Sequence, residues 1–224
     1  MSPPPVIAVD GPAASGKGTI AAGVARALGF HYLDSGALYR LTALKALDDG
    51  IAFDDEASLA DAASAMTFHL GPDRTVLGGS DVTAALRSEA VSVAASRAAA
   101  LPKVRAALLP RQRAFRQPPG LVADGRDMGT VVFPDALVKV YVTASPEERA
   151  RRRYKQLIEK GNSVNLDSLL RDIRERDARD SSRAAAPLKP AAGAFALDTT
   201  RLSIEAGIAF VLERYRALSS GASS

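Results

Sequence analysis

Short apolar runs alternate with longer amphipathic stretches along most of this 224-residue chain. The first run, residues 6–9, is followed by a stretch that places Ile20, Val24 and Leu28 on one face of a helix. Strands that alternate with helices in this way form a parallel sheet covered by helices on both faces. We therefore predict an α/β fold whose parallel five-stranded sheet uses residues 6–9, 30–33, 121–124, 137–142 and 195–198.

Capping residues and prolines place the next helices. Asp34 or Ser35 can cap a helix over residues 37–47, because both side chains accept hydrogen bonds from first-turn amides. One long helical stretch is predicted over residues 88–115, weakened by Pro102.

A strong helix start follows the fourth apolar run. Ser145 is the predicted N-cap, Pro146 takes the first helical position and Glu148 completes a capping box. This helix is expected to end at a break at residues 161–162. The helix after the break has an apolar face formed by Leu166, Leu169, Leu170 and Ile173.

Residues 48–88 depart from the alternating pattern on either side. A short helix is predicted near residues 56–66, and strands at residues 67–70 and 75–77 are joined by a turn at residues 71–73. The turn residues and the short alternating strands indicate an inserted antiparallel unit.

The first strand leads directly into a glycine-rich loop, Gly11-Pro12-Ala13-Ala14-Ser15-Gly16-Lys17-Gly18-Thr19. Glycines at both ends let backbone amides wrap a phosphate group, Lys17 adds positive charge, and the following helix N-terminus favours an anion. A glycine-rich turn with a chance lysine is the alternative, but a strand before the loop and a helix after it favour phosphate binding. Gly18 stands where Ser or Thr usually binds magnesium, and this G-K-G-T form resembles nucleoside monophosphate kinases more than GTPase switches.

The positive charge of the chain comes mainly from arginine. The sequence has 22 Arg and 7 Lys, a net charge of +4, and nine of the arginines lie within residues 149–183. Such a cluster predicts either a phosphate-closing lid or an RNA-binding stripe. Tyr154 is the one aromatic residue in that range, so platforms for base stacking are missing and the lid is favoured. Without phosphates, these arginines are expected to repel one another.

Several classes of protein are disfavoured by what the sequence lacks. It has no cysteine, which excludes disulfides and thiolate metal sites and fits a reducing compartment, and its two histidines cannot form a metal cluster alone. No apolar run approaches the roughly 18 residues of a membrane span, and residues 1–5 do not resemble a signal peptide. We therefore expect a cytoplasmic protein that does not bind membranes.

Asp124 ends the apolar run at residues 121–124. An aspartate at the end of a strand beside a phosphate loop can hold magnesium through water. It can equally cap the loop that follows. The sequence leaves both interpretations open.

The composition favours a phosphate rather than a hydroxyl as the acceptor in a phosphoryl transfer. A hydroxyl usually needs a carboxylate to take its proton, whereas a phosphate, whose second pKa is about 6, is already largely ionised at pH 7. The chain offers many arginines and no obvious isolated base. A nucleotide phosphate is therefore the favoured acceptor.

Four motifs resemble the bacterial cytidylate kinase family, and the resemblance extends over nearly the full chain. They are residues 11–19, L-D-S-G-A-L-Y-R at 33–40, A-D-G-R-D-M-G-T at 123–130 and R-D-A-R-D-S-S-R at 176–183. The resemblance implies a P-loop fold that transfers the γ-phosphoryl group of ATP to CMP or dCMP, with Mg²⁺, in pyrimidine nucleotide metabolism. We expect a monomer whose partners are ATP, CMP and dCMP, and no nucleic acid.

The resemblance also implies individual roles. Residues 11–19 would hold the ATP phosphates, and Thr19 and Asp124 would hold Mg²⁺ only through water, with no direct protein ligand. Lys17, Arg126 and Arg183 would be the catalytic residues. The CMP phosphate would be bound by Ser35, Arg40 and Arg126, cytosine by Ser96, Arg105 and Asp127, and ribose and phosphates by Arg176, Asp180 and Arg183 of the lid.

The expected domain organisation follows from the same resemblance. Residues 1–48, 89–149 and 187–224 would form the P-loop core, residues 49–88 the inserted CMP-binding subdomain and residues 150–186 the lid. We expect the lid to close when both nucleotides bind. The competing functions are a kinase for UMP or a small metabolite, and a P-loop switch or RNA-binding protein, although no guanine-binding N-K-x-D motif is present.

Overall fold

The computed structural model describes residues 3–71, 74–159, 161 and 163–221. Residues 72 and 73 of the predicted turn, and residue 162 of the predicted break, lie outside the described residues. The chain divides into two compact units, one formed by Met1–Leu33 with Phe115–Ser224 and the other by Asp34–Ala114.

The secondary-structure elements are numbered in chain order. The strands are β1 (Val6–Asp10), β2 (His31–Asp34), β3 (Phe68–Leu70), β4 (Thr75–Leu77), β5 (Ser80–Asp81), β6 (Leu121–Gly125), β7 (Val138–Thr143) and β8 (Phe195–Asp198). The helices are α1 (Lys17–Leu28), α2 (Ser35–Asp48), α3 (Glu56–Ala65), α4 (Glu89–Ala98), α5 (Pro102–Arg113), α6 (Pro146–Ile158), α7 (Leu166–Ser182) and α8 (Ile204–Gly221). A 3₁₀ turn covers Ala85–Arg87 and a short π-helix covers Met128–Val132.

The five-stranded sheet has the order β2-β6-β1-β7-β8. β1 lies at its centre and pairs in parallel with β6 and β7, and β7 pairs in parallel with β8. The register places Val9 beside Asp124 and Asp10 beside Gly125, so the carboxyl ends of β1 and β6 lie side by side. The predicted parallel α/β sheet is confirmed.

The core of the first unit lies between this sheet and two helices. Ile7, Val122 and Val140 from the strands are fully or almost fully buried, and Ile20 of α1 and Val211 of α8 pack against them. Every residue of β1 and β6 is buried, as expected for strands covered on both faces. A rigid core thus supports the loop that leaves β1.

The second unit contains the helices α2 to α5 and a small antiparallel sheet of order β3-β4-β5. Phe68 pairs with Leu77, and Leu70 pairs with Thr75. The predicted antiparallel unit is confirmed, and β5 adds a strand that the sequence pattern did not reveal.

The single helical stretch predicted over residues 88–115 is wrong, because the structure has two helices there. α4 ends at Ala98, and α5 begins with Pro102 in its first turn. Leu101 adopts an extended conformation with φ −85° and ψ 119°, as is usual for a residue before proline. Pro102 therefore starts a helix rather than weakening one.

Only half of the predicted capping box at the start of α6 forms. Ser145 Oγ accepts the Glu148 amide N–H at 3.2 Å, as predicted. The Ser145 amide instead donates to Thr200 Oγ1 at 3.0 Å, and the Glu148 carboxylate accepts from Arg152 at 3.0 Å. A distant residue, Thr200, and a residue one turn further along α6, Arg152, thus replace the reciprocal bond between Ser145 and Glu148.

No helix among the described residues is both long enough and apolar enough to cross a membrane.

Candidate active site

The glycine-rich loop takes the shape that its sequence predicts. A Cβ atom on Gly11 would lie 2.0 Å from the carbonyl oxygen of Val142, so only glycine fits beside β7. Gly16, just before α1, has φ +86°, and Ala14 has φ 58°. These conformations turn the chain between β1 and α1, and the loop leads into the N-terminus of α1 at Lys17, where an anion is favoured.

The lysine of the loop lies beside the carboxylate that ends β6. Lys17 Nζ is 3.3 Å from Asp124 Oδ1, and the Tyr32 hydroxyl donates to Asp124 Oδ2 at 2.9 Å. Both charged side chains are largely buried. A buried ion pair needs such additional hydrogen bonds to compensate for its loss of water.

The unusual Gly18 has a physical reason in the same place. A Cβ atom at position 18 would lie 2.8 Å from Asp124 Oδ2. Glycine after the lysine therefore leaves room for the carboxylate, and the hydroxyl that usually follows the lysine moves to Thr19. Thr19 is exposed.

Asp10, the last residue of β1, is a site residue that the sequence analysis missed. Its side chain is buried and accepts the amide N–H groups of Met128 and Gly129, both at 2.8 Å. It thereby ties the start of the phosphate loop to the segment that follows Arg126 and Asp127. An aspartate directly before the loop's first glycine was the signal that could have revealed it.

The pKa of Asp10 predicts a pH-dependent stability. Burial raises this pKa from 3.8 to about 6, although the two amide hydrogen bonds lower it. Because the folded-state pKa lies above the unfolded one, the stabilisation is full below about pH 4 and is lost as the pH rises through 6. Relative to Asp10→Asn, the unfolding free energy of the parent should fall by about 2.4 kcal/mol between pH 4 and pH 7.

Denaturant unfolding of both proteins across this pH range measures the difference, because the other titrating groups are common to both. If the two stability curves run parallel, Asp10 does not titrate as described.

Several predicted substrate residues of the first unit meet around one buried carboxylate. Arg126 Nε donates to Asp180 Oδ2 at 3.0 Å, and Arg183 Nη1 lies 3.8 Å from Asp180 Oδ1. Burial raises the pKa of Asp180, but the charges of Arg126, Arg183 and Arg176 outweigh it, so the pKa lies below its usual value. Arginines grouped in this way are typical of sites that bind phosphate.

The predicted repulsion is wrong for most of the nine arginines within residues 149–183. Five of these arginines have a carboxylate partner within 4 Å. The pairs are Arg149–Asp177, Arg152–Glu148, Arg174–Glu147, Arg179–Glu175 and Arg183–Asp180. Arg149 and Arg152 also donate to backbone carbonyls of the phosphate loop. Three of these pairs join residues three or four positions apart, as spacing along a helix allows. The pairs Arg149–Asp177 and Arg174–Glu147 join α6 to α7 and could not be predicted from spacing.

The second unit holds four of the predicted substrate residues, Ser35, Arg40, Ser96 and Arg105. Asp34 caps α2 by accepting the Ala37 amide N–H at 3.2 Å, and it also forms an ion pair with Arg40. Ser35 is buried in the first turn of α2. The capping role predicted for Asp34 or Ser35 therefore falls to Asp34.

Arg105 and Ser96 also belong to this unit. Arg105 Nη1 donates to the Ala99 carbonyl at 3.0 Å, and its guanidinium lies 5.6 Å from the centre of the Tyr39 ring. Ser96 Oγ is buried and has no hydrogen-bond partner among the described residues. Asp127, the third residue predicted to contact cytosine, belongs to the first unit and is buried.

Comparison with known proteins adds independent information. The profile of the cytidylate kinase family matches residues 7–217. A cytidylate kinase from Burkholderia cenocepacia (strain HI2424) is 58% identical over 96% of this chain and 95% of that protein. One from Cupriavidus pinatubonensis (strain JMP 134 / LMG 1197) is 56% identical over 95% of this chain and 96% of that protein.

Among solved structures, a gluconokinase from Sinorhizobium meliloti 1021 is 16% identical, with a TM-score of 0.49 over 98% of this chain and 95% of that chain. That similarity is too low to bear on function.

Proposed function

This chain belongs to the cytidylate kinase family, and we propose that it transfers the γ-phosphoryl group of ATP to CMP, giving ADP and CDP. One observation carries the structural side of the proposal. The first unit contains both a phosphate loop with Lys17 and a separate arginine cluster around Asp180. A donor and an acceptor phosphate require two such sites, whereas a nucleotide hydrolase requires one.

The donor would be held by the loop Gly11-Pro12-Ala13-Ala14-Ser15-Gly16-Lys17-Gly18-Thr19. Its amides would bind the β- and γ-phosphates, and Lys17 would leave Asp124 to follow the transferred group. The charge of Lys17 would then stabilise the transition state, in which the phosphoryl group lies between donor and acceptor, more than it stabilises the bound substrates.

Mg²⁺ is the cofactor that we propose for this site. The described residues contain no cluster of three or more His, Cys, Asp or Glu side chains, and Mg²⁺ commonly keeps several waters while binding one or two carboxylates and the substrate phosphates. The Asp124 carboxylate beside Lys17 and the exposed Thr19 hydroxyl fit such indirect binding. When bound, the ion neutralises negative charge on the phosphates.

The acceptor phosphate would be bound by Ser35, Arg40 and Arg126, the residues that the family resemblance assigns to it. Arg126 and Arg183 would also stabilise the charge that develops during transfer. An oxygen of the CMP phosphate attacks the γ-phosphorus while the bond to the β-phosphate oxygen breaks, so ADP leaves. Because the attacking oxygen is already ionised, no side chain has to act as a base.

The remaining assignments rest on the family resemblance. Arg176 and Asp180 would reach the ribose and phosphates of the nucleotide, and Ser96, Arg105 and Asp127 would contact cytosine. The buried, unpartnered hydroxyl of Ser96 supports its assignment, because a buried polar group without a partner is rare and suits a ligand contact.

An acceptor panel tests the proposed function. ADP formation from ATP and Mg²⁺ is measured with CMP, dCMP, UMP, AMP or GMP, and without an acceptor. We expect the highest kcat/KM with CMP, activity with dCMP, and little ADP without an acceptor. A preference for UMP would point to a different acceptor, and rapid ADP formation without one would indicate a hydrolase.

Four further properties belong to the proposal: the acceptance of dCMP, a monomeric state, a cytoplasmic location and the absence of nucleic-acid binding. We also propose the domain organisation, with residues 49–88 as the CMP-binding subdomain and residues 150–186 as the lid.

Sedimentation at micromolar protein concentration checks the monomeric state. A salt-dependent affinity for single-stranded RNA that CMP does not compete would contradict the absence of nucleic-acid binding.

We expect the lid to close when donor and acceptor are both bound. On closure, Arg183 would bind phosphate oxygens and lose part of its contact with Asp180. Closure would also exclude water from the phosphoryl group that is transferred. Amide hydrogen exchange with and without a bisubstrate analogue measures it, and protection should rise across residues 152–183. Exchange that stays the same across those residues would contradict the lid.

A further inference from the structure

Arg149, near the start of α6, is a charged side chain that the proposed mechanism does not use. Only 3% of it is exposed. Its Nε donates to the Ala144 carbonyl at 3.0 Å and its Nη1 donates to the Ala13 carbonyl at 3.2 Å. A buried guanidinium is stable only when its N–H groups find acceptors and its charge finds a partner.

Asp177 of α7 supplies that partner. Arg149 Nη1 donates to Asp177 Oδ1 at 3.0 Å, and Nη2 donates to Asp177 Oδ2 at 2.5 Å. Two parallel bonds between a guanidinium and a carboxylate fix direction as well as distance. Arg149 thereby holds α7 in one orientation against α6.

The contacts of Arg149 join two parts of the proposed site. Ala13 lies in the phosphate loop, and its carbonyl accepts from Arg149 while the Ser15 carbonyl accepts from Arg152 at 3.3 Å. Asp177 directly follows Arg176 and precedes Asp180 by one helical turn. One side chain thus connects the loop to the helix that carries the proposed lid residues.

We propose that Arg149 is a positioning residue that couples donor binding to α7. It binds the Ala13 carbonyl of the loop and fixes α7 through Asp177, so that nucleotide phosphates bound by the loop also order α7. This inference rests on the proposed function. It assigns Arg149 and Asp177 a role in communication between loop and helix, not in contact with substrate.

A second ion pair between the same helices serves as the control. Glu147 of α6 and Arg174 of α7 lie 2.8 Å apart, but both side chains are more than half exposed. Neither has a hydrogen bond to the phosphate loop among the described residues. If any ion pair between α6 and α7 had the same effect, loss of Glu147–Arg174 would act like loss of Arg149–Asp177.

Hydrogen exchange with ADP alone distinguishes a specific effect of the Arg149–Asp177 pair from a general effect of any ion pair between α6 and α7. In the parent, ADP should raise protection in residues 11–19 and in residues 166–182. In Asp177→Asn and in Arg149→Lys, ADP should still protect the loop, but the added protection of α7 should fall at least threefold. Glu147→Gln should behave as the parent does.

Steady-state kinetics give a second readout. Asp177→Asn should lower kcat/KM for ATP about tenfold at saturating CMP, and Glu147→Gln should change it less than twofold. Circular dichroism identifies a variant that does not fold. Arg149→Lys keeps the charge but cannot form the two parallel bonds, so it also tests the inference if Asp177→Asn is unfolded.

Two results would overturn the proposed coupling between donor binding and α7 while leaving the proposed function intact. One is full ADP-dependent protection of α7 in both variants of the Arg149–Asp177 pair, and the other is an equal loss in Glu147→Gln. If ADP protects neither segment in the parent, the proposed donor site itself is wrong, and this inference fails with it.

Discussion

Lys17→Ala should lower kcat by about 100-fold or more with ATP and CMP, which corresponds to about 2.7 kcal/mol of transition-state stabilisation. Lys17 lies at the start of α1, within 3.3 Å of the Asp124 carboxylate. A flexible cation in this position can follow the phosphoryl group from donor to acceptor. Its loss should therefore affect kcat more than substrate binding.

The fold should survive the substitution. Asp124 retains the hydroxyl hydrogen bond from Tyr32 at 2.9 Å, so the carboxylate keeps a partner. Initial rates at saturating ATP and CMP measure kcat, and thermal unfolding checks the fold. Lys45→Ala is the matched control, because Lys45 forms an exposed ion pair with Asp49 in α2 and its loss should leave kcat unchanged. Near-normal turnover of Lys17→Ala would exclude the assigned role.

Features determined by neighbouring residues could be predicted from the sequence. The five strands of the parallel sheet and the glycine-rich loop depend on local periodicity, on turn residues and on the order of strand, loop and helix. Ser145 and Asp34 cap helices within three residues of their own positions. These interactions do not depend on where the rest of the chain folds.

Features determined by distant residues could not be predicted. Asp10 binds amides 118 and 119 residues away, and Arg149 donates to a carbonyl 136 residues away. The capping box at Ser145 is incomplete because the Ser145 amide donates to Thr200, 55 residues away. In each case, a tertiary partner overrides or adds to the local pattern.

Asp127→Ala should lower the preference for CMP over UMP by about 100-fold or more. Cytosine presents an amino donor, whereas uracil presents a carbonyl at that position, and a carboxylate accepts from the first and repels the second. A site built to hydrogen-bond one partner can reject an analogue that leaves buried polar groups unpaired by about 10⁴-fold to 10⁵-fold. Removal of the carboxylate should therefore reduce activity on CMP much more than activity on UMP.

The alternative role of Asp127 is a structural cap for the turn at Gly125, and the alternative position of Arg105 is a solvated helix face. Asp127 is buried and stands at the N-cap of the π-helix Met128–Val132, where its side chain makes no capping bond to that helix. Arg105 is not on a solvated helix face, because it donates to the Ala99 carbonyl and lies over the Tyr39 ring.

The decisive measurement is kcat/KM for CMP and for UMP with the parent, Asp127→Ala and Asp127→Asn. Asparagine keeps an acceptor oxygen and adds a donor that can face the uracil carbonyl. Asp127→Asn should therefore gain activity on UMP relative to Asp127→Ala while retaining part of the activity on CMP. An equal loss on both nucleotides, or a parent that prefers UMP, would show that Asp127 does not select the base.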